Sequence, residues 1–371
     1  MDSSGLFDWR HQYGNINITF HKLPSILELR DHLGVKPLNT GNQIYPLGLA
    51  GIITDDMEGL HAVCDEHGRA RLISGTEFSM YVFRGQTQEH PSCLPQLGRL
   101  NTPEAQLLAL CQNVAFEDAV AAHPFVRLAE QAAFLGNPLF VDKEGMAQHY
   151  GLPTHMLDVT SNFEVASFFA TCAWNVGKRQ YVPVTDTKHH GVIYRLIPVL
   201  LFDPLEPDSA FGPFNIVGWQ PLPRPEQQRA FALRMKPGQD FSEMPGVECF
   251  KFRHRARISV RIWKAFDEGH ALFPADAAAE LAVQAESLHQ FTHHQIERAW
   301  IRMESWTEKT FCAEDRSVIE SHSEISKVAV PVLSWDGLDV ETDENHLSAK
   351  LHDVFSRVRY RMVSPHFCDA T

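Results

Sequence analysis

Two short stretches of the chain gather side chains that could do chemistry. Tyr81 to Gln86, YVFRGQ, carries an arginine followed at once by a glycine, Arg84-Gly85. Met146 to Thr160, MAQHYGLPTHMLDVT, brings His149, Tyr150, Asp158 and Thr160 into close succession. A planar guanidinium at a strand end suits a phosphate or carboxylate, which it holds with two parallel hydrogen bonds. The glycine beside it lets a backbone or a ligand come close. The same arginine has a structural use, pairing with Asp158 or a helix C-terminus, and the residues alone leave both uses open. An unperturbed imidazole has a pKa close to neutrality, so a histidine at position 149 can act as a base or orient a ribose hydroxyl. Local capping is the alternative for this set: His149 at its own helix end, Asp158 at the next turn, Thr154 and Thr160 on nearby backbone.

These side chains must be positioned by elements that the apolar spacing predicts. Phe78 to Arg84 is a strand, ending at the arginine. Pro103 and Glu104 open a helix through Ala122, and Pro124 opens another that stops at Gly136. Asp142 is an N-cap for a helix through Tyr150, with Gly151 as its left-handed terminator. Pro153 forbids further helix, so Leu152 to Thr160 is extended. Ser161 or Asn162 then caps EVASFFATCAW, which is apolar nearly all round and therefore buried. Gly191 to Pro198 is a buried strand.

Upstream, Leu60 to Cys64 and Ala70 to Ser74 flank a turn at Gly68 and predict a hairpin. Downstream come a strand at Cys249 to Phe252 and a helix ending near Gly269. A long helical region then runs from Pro274 to about Thr307. VAVPVLSW, from Val328, is strand-like and HLSAKLHDVFSRVRYRM is helical. The irregular mixture predicts an α+β fold, a small mixed sheet surrounded by helices. No strict βαβ alternation, G-x-G-x-x-G or P-loop favours a doubly wound sheet. The expected organisation is an N-terminal extension with its hairpin over 1–75, a central domain over 76–275, and a helical and mixed region over 276–371 packed on the core.

The 371 residues are 44% hydrophobic and 21% charged, an ordinary globular composition. A formal charge of −13 argues against broad nucleic-acid binding, which needs a cationic surface. One local basic run, Lys251 to Arg261, stands against that acidity. The amino end, MDSSGLFDWRHQYGN, lacks the charged and apolar regions of a signal peptide, and the longest apolar run, Gly191 to Phe202, is too short to span a bilayer. Seven scattered cysteines without zinc spacing read as free thiols in a reducing cytoplasm. His289, His293 and Glu297 have metal-compatible helical spacing, but a solvated charged face is the simpler reading and no metal is expected. Ser167 and Cys172 lack a nucleophile elbow and read as core. Trp300, Trp306 and Phe311 read as packing rather than base stacking.

YVFRGQ and AQHYGLPT followed by LDVT resemble the FRG-domain family, named for its Phe-Arg-Gly triplet. Arg224 to Phe231, RPEQQRAF, is similar to that family's downstream Arg, Gln and Phe motif. Gln227 or Gln228 stands at the polar position, and Arg229 stands where a glycine is usual. Leu272-Phe273-Pro274 fits the family's closing motif, so the resemblance covers about 78–273. It carries over Arg84, His149, Asp158, Thr160 and Gln228 as site residues. His155-Met156 replace the usual Arg-Leu, Val159 a tryptophan and Phe163 a proline. The lost arginine implies a changed ligand charge preference or an inactive site.

The order of motifs is also similar, more distantly, to ADP-ribosyltransferases of the Arg-Ser-Glu type. That similarity implies an ADP-ribosyltransferase-like core that binds NAD. Arg84 would grip the pyrophosphate or ribose, with Gly85, Tyr150 and Asp158 beside it, and Thr160 would position the nicotinamide ribose. Glu226 or Gln228 would stabilise the oxocarbenium-like state or guide the nucleophile. The family context implies a cytoplasmic effector in phage defence or a toxin system. A different class stays open: a non-catalytic sensor or interaction module holding a small-molecule ligand or a protein partner in the same pocket.

Overall fold

The alternation of apolar residues along the central strands builds a seven-stranded sheet in the computed structural model. That structure describes residues 16–17, 22–34, 43–47, 51–65, 67–76, 81–186, 188–198 and 213–359. The amino-terminal fifteen residues read for a leader, the strand start at Phe78 to Met80, residues 199–202 of the apolar run, Tyr360 to Met362 of the last helix and Cys368 lie outside the described residues. Across the sheet the strands run Ile16–Asn17, Val247–Arg253, His190–Leu196, Val82–Gln86, Met156–Thr160, Ala230–Arg234 and Phe214–Ile216. All neighbours are antiparallel except Ile16–Asn17, which pairs parallel to Val247–Arg253. The fold is α+β, as expected, with helices packed against one face of the sheet and a further helical core beside it.

One face of the sheet is covered by the helix Phe163–Thr171. Asn162 caps it, its side chain accepting from the backbone N–H groups of Glu164 and Val165. Phe83, Ile193, Phe250 and Phe252 of the sheet pack with Phe163, Val165, Phe168 and Ala170 of this helix. The opposite face buries Val82, Leu157, Val159, Tyr194, Phe231 and Leu233. A third core is helical. The long helix Pro103–Ala122 packs with Lys143–His149, Ala277–Glu286 and His293–Thr307 around Phe116 and Trp300. The N-terminal hairpin, Gly51–Cys64 with Ala70–Thr76, turns through Gly68 at φ +72° and joins the body through Trp219 N–H to the Leu72 carbonyl, 2.6 Å.

Several elements depart from the apolar pattern for identifiable reasons. The Arg84 strand runs on to Gln86, because Tyr194 pairs with Arg84 and Val192 with Gln86. Arg84 is therefore inside a strand, not at its end. The helix expected through Gly136 ends at Gln131, where Ala133–Phe134 and Asn137–Pro138 form a short hairpin turning through Leu135 and Gly136 at positive φ. EVASFFATCAW leaves helix at Thr171, since Cys172–Asn175 pairs with Gln180–Pro183.

The long helical region is broken into Ala277–Glu286 and His293–Thr307. Gln290–Thr292 between them forms a strand with Ser326–Val328, and Thr292 and Gln295 restart the helix with a reciprocal capping box. His289 is thus off the helix that carries His293 and Glu297. Of VAVPVLSW only Val328 is in a strand. Pro331, with no N–H to donate, lies in the segment that leaves it. The last helix, Glu344–Ser356, gives way to Val358–Arg359, which pairs parallel with Leu60 and His61.

Gly85 is where sheet and helix meet most closely. A Cβ there would lie 1.9 Å from the Ala166 carbonyl oxygen and 2.8 Å from the Ala170 nitrogen. Both are helix backbone, which cannot swing aside like a side chain. Gly85→Ala is expected to lower unfolding stability by about 3 kcal/mol or to prevent folding, the upper end for overpacking a core. Urea denaturation of the variant checks this, and unchanged stability would contradict the close approach.

Candidate functional site

The sheet splits beside Arg84. The Arg84 strand and the Thr160 strand share a single paired position, Phe83 with Thr160, and separate beyond it. Arg84 spans the gap, its Nη1 donating to the backbone carbonyl of Asp158 at 2.7 Å. This is the structural use, and Arg84 Nε in addition is buried with no hydrogen-bond partner among the described residues. A buried guanidinium N–H left unpaired is costly, and an anionic ligand would satisfy it.

On the other side of the split, His149 closes its helix. Asp142 caps that helix at Gly145 N–H, 2.8 Å, and Gly151 at φ +95° turns the chain out toward the Thr160 strand. His149 does not cap its own helix through its ring. Its Nδ1 lies 2.8 Å from Gln228 Oε1, while Gln228 Nε2 donates to the Leu272 carbonyl at 3.1 Å. The amide orientation follows from that carbonyl, which can only accept. Gln228 Oε1 must then accept from His149, so Nδ1 carries a proton, and in the neutral tautomer of the ring Nε2 is the bare nitrogen. That Nε2 is buried, lacks a hydrogen-bond partner among the described residues, and lies 3.8 Å from Asp158 Oδ1. The Asp158 side chain is 39% exposed and stands at the mouth of the gap.

Thr160 ties these pieces together. Its Oγ1 donates to the Gln228 backbone carbonyl at 2.8 Å and accepts from Asn162 N–H at 3.1 Å. The hydroxyl proton is therefore spent inside the protein. Arg84, His149, Asp158, Thr160 and Gln228, with Gly85, all line one cavity of about 200 Å³. Gly85 belongs to its wall through the helix contact rather than through space for a ligand.

Two of the residues singled out in the sequence are not brought to this cavity. Tyr150 turns into the helical core against Phe116, and its hydroxyl donates to Asp276 Oδ2 at 2.7 Å. Its ring instead carries the Arg224 guanidinium, 4.5 Å from the ring centre. Glu226 points away, its carboxylate held by Arg357 through contacts of 2.7 and 3.3 Å. Both sit one or two positions from a cavity residue, and helix geometry sends neighbours to different faces.

The cavity also takes in Gln96, Phe169 and Tyr181, which sequence reasoning missed. Tyr181 stacks on Phe273, with ring centres 4.8 Å apart and planes 20° apart, and packs edge-on against Phe169. Burial, reinforced by the Asp158 charge, pushes its phenol up to about 12. The alternation Gln180-Tyr181-Val182 was a faint strand signal, but nothing in it announced a site.

The replaced motif positions fall differently than expected. His155 faces away from the cavity and meets Glu144, Nδ1 to Oε1 3.3 Å. Phe163 packs edge-on against Phe83, centres 5.4 Å apart. Val159 does line the cavity wall. Among the described residues no group of three or more His, Cys, Asp or Glu could hold a metal ion, and no helix is long and apolar enough to cross a membrane.

Residues 79–179 match the family model of the FRG domain, so the chain carries that domain over this stretch. The match contains Arg84, His149, Asp158 and Thr160, while Tyr181, Gln228 and Glu226 lie beyond it. No curated protein and no solved structure matches the chain.

Two outcomes follow from these contacts. Gln228→Ala leaves the His149 Nδ1–H and the Leu272 carbonyl unpaired in a buried place, and is expected to cost about 2 kcal/mol of stability. Chemical denaturation measures it, and a loss within experimental error would mean water replaces the amide. Glu144 gives a pH dependence. Burial raises its carboxyl, but the hydrogen bond and charge of His155, with Arg302 and Arg234 behind, outweigh this and hold it at about 2. A carboxyl depressed on folding stabilises the protein above its ordinary value of 4.5, and that stability is lost as pH falls toward 2. Denaturation midpoints across this window are expected to fall more steeply in the wild type than in Glu144→Gln.

Proposed function

We propose that the Arg84 cavity binds one end of a nucleotide such as NAD and that the protein transfers or releases its ADP-ribosyl group. The observation that supports this best is the convergence of the unpaired Arg84 Nε, the bare His149 Nε2 and the Asp158 carboxylate on one cavity. Arg84 supplies a cation for a phosphate oxygen. Arg99 stands near enough that burial and the Arg84 charge push it below its ordinary value, which favours an anion between them. A cavity of about 200 Å³ is smaller than those that enclose whole ligands of drug size. It suits the nicotinamide riboside end, with the rest of the dinucleotide lying along the opening.

In this reading the bond between the ribose C1′ and the nicotinamide nitrogen breaks, and nicotinamide leaves with the electron pair. The positive charge that develops on the ribose faces Asp158, the nearest carboxylate in the cavity, and not Glu226. The acceptor, a hydroxyl or water, forms its new bond to C1′ through oxygen and gives up its proton to His149 Nε2. Thr160 and Gln228 are positioning residues. They fix the ring of His149 and the edge of the sheet through bonds already made inside the protein. Such an activity fits an effector in phage defence or a toxin system.

A second reading, a sensor or interaction module that binds its ligand without turnover, is favoured by one observation. The carboxylate of Glu226 is drawn off to Arg357, so the segment before Ala230–Arg234 offers the cavity an amide rather than an acid.

Labelled NAD incubated with the purified chain separates the two. Nicotinamide release is expected in the wild type, with Arg84→Ala weakening binding and His149→Ala lowering turnover by about 100-fold or more while binding persists. Saturable NAD binding with no release in a folded protein favours the module. Neither binding nor release, with folding verified, rejects the nucleotide reading.

A further inference from the structure

The half-buried guanidinium of Arg224 is a cation without an anion. It lies over the Tyr150 ring, 4.5 Å from its centre, and 5.6 Å from the centre of Phe273. Stacking of this kind holds the group in place and leaves its N–H edge free for an acceptor. Among the described residues the Arg224 side chain makes no hydrogen bond and no ion pair, and its Nε is buried without a partner. Asp276, which meets the same tyrosine, is engaged elsewhere. Its Oδ2 accepts from the Tyr150 hydroxyl at 2.7 Å and its Oδ1 from Ala279 N–H at 2.8 Å.

Three observations place Arg224 beside the Arg84 cavity. Gln228, one helical turn on, donates its N–H to the Arg224 carbonyl at 3.0 Å, and positions four apart on such a turn share a face. Phe273, in reach of the guanidinium, stacks on Tyr181 of the cavity wall with ring centres 4.8 Å apart. The Tyr181 phenol, raised by burial and by the Asp158 charge, is drawn back by Arg224 and then by Arg84, so both cations act on it. Arg84 lines the cavity, and Arg224 stands just past the wall made by Tyr181 and Gln228.

We infer that Arg224 is a second phosphate-binding residue of this site, and that the ligand is a nucleotide with two linked phosphates. Arg84 takes the phosphate next to the ribose in the cavity, and Arg224 takes the one beyond. The inference rests on the nucleotide reading of the Arg84 cavity and adds the ligand class to it. One cation would hold a mononucleotide as well as a dinucleotide, whereas a second one selects the diphosphate. A planar guanidinium can meet a phosphate with two parallel hydrogen bonds. Because Tyr150 already carries this one, little side-chain freedom is lost when it binds. A cavity of about 200 Å³ encloses only one end of such a ligand, so its second phosphate must lie outside.

Calorimetric titration of the full chain with ADP-ribose and with ribose 5-phosphate tests this. The two ligands share a ribose and its phosphate, and only ADP-ribose brings a second phosphate. The wild type is expected to bind ADP-ribose at least about tenfold more tightly. Arg224→Gln should lose about tenfold or more for ADP-ribose and no more than about twofold for ribose 5-phosphate. Arg224→Lys, which restores the charge, should recover part of that loss. If Arg224→Gln unfolds, Arg224→Met decides, because it keeps an unbranched stem against the Tyr150 ring. Equal wild-type affinities for the two ligands, or an equal loss or no loss for both in a folded variant, overturn the inference and leave the nucleotide reading standing. Binding of neither ligand by folded wild-type protein rejects both.

Discussion

The hydrogen bond from Arg84 to the Asp158 carbonyl holds the two halves of the sheet together where their strands part. With one paired position between them, the strands would otherwise leave a gap lined by unpaired backbone. The guanidinium closes one side of that gap and leaves its Nε directed into what remains. The cavity is therefore a consequence of how the sheet is joined. The helix Phe163–Thr171 makes its floor, and that helix can approach only because Gly85 has no side chain. Sheet, helix and cavity thus depend on two adjacent residues, Arg84 and Gly85.

Gln228 plays the corresponding part on the far side. Its backbone carbonyl receives Thr160, its amide oxygen receives His149 and its amide nitrogen reaches Leu272. One residue thus sets the tautomer of the histidine, the end of the Thr160 strand and the path of the loop that returns from the helix Ala256–Ala265. A buried network in which most members are satisfied has little freedom, so the atoms of these residues left without hydrogen-bond partners among the described residues, His149 Nε2, Arg84 Nε and Asp158 Oδ1, are the ones available to a ligand.

Local signals were legible wherever chain neighbours decide the outcome. Asp142 and Asn162 cap the helices they were expected to cap, Gly68 and Gly151 take left-handed turns, and the hairpin joined by Gly68 forms. Signals failed where a distant strand competes. Gln290–Thr292 leaves the helical pattern because Ser326–Val328 pairs with it, and Cys172–Asn175 leaves helix for Gln180–Pro183. In both, hydrogen bonds to residues outside the local window outweigh modest helix propensity.

By itself, the sequence determined the α+β class, the FRG stretch and the identities of Arg84, His149, Asp158, Thr160 and Gln228 as residues that belong together. The class follows from residue type, capping and turn chemistry, which act over a few positions, whereas the stretch and the grouping of those five residues came from the resemblance to the FRG motifs. Only the tertiary structure decided which of them face one cavity. Tyr150 and Glu226 were as well placed in the chain as His149 and Gln228, yet Asp276 and Arg357 draw them to other surfaces. Tyr181 enters from a hairpin that no motif marked. Partners far away in the chain set those directions, and a side chain's direction depends on contacts that local spacing does not encode.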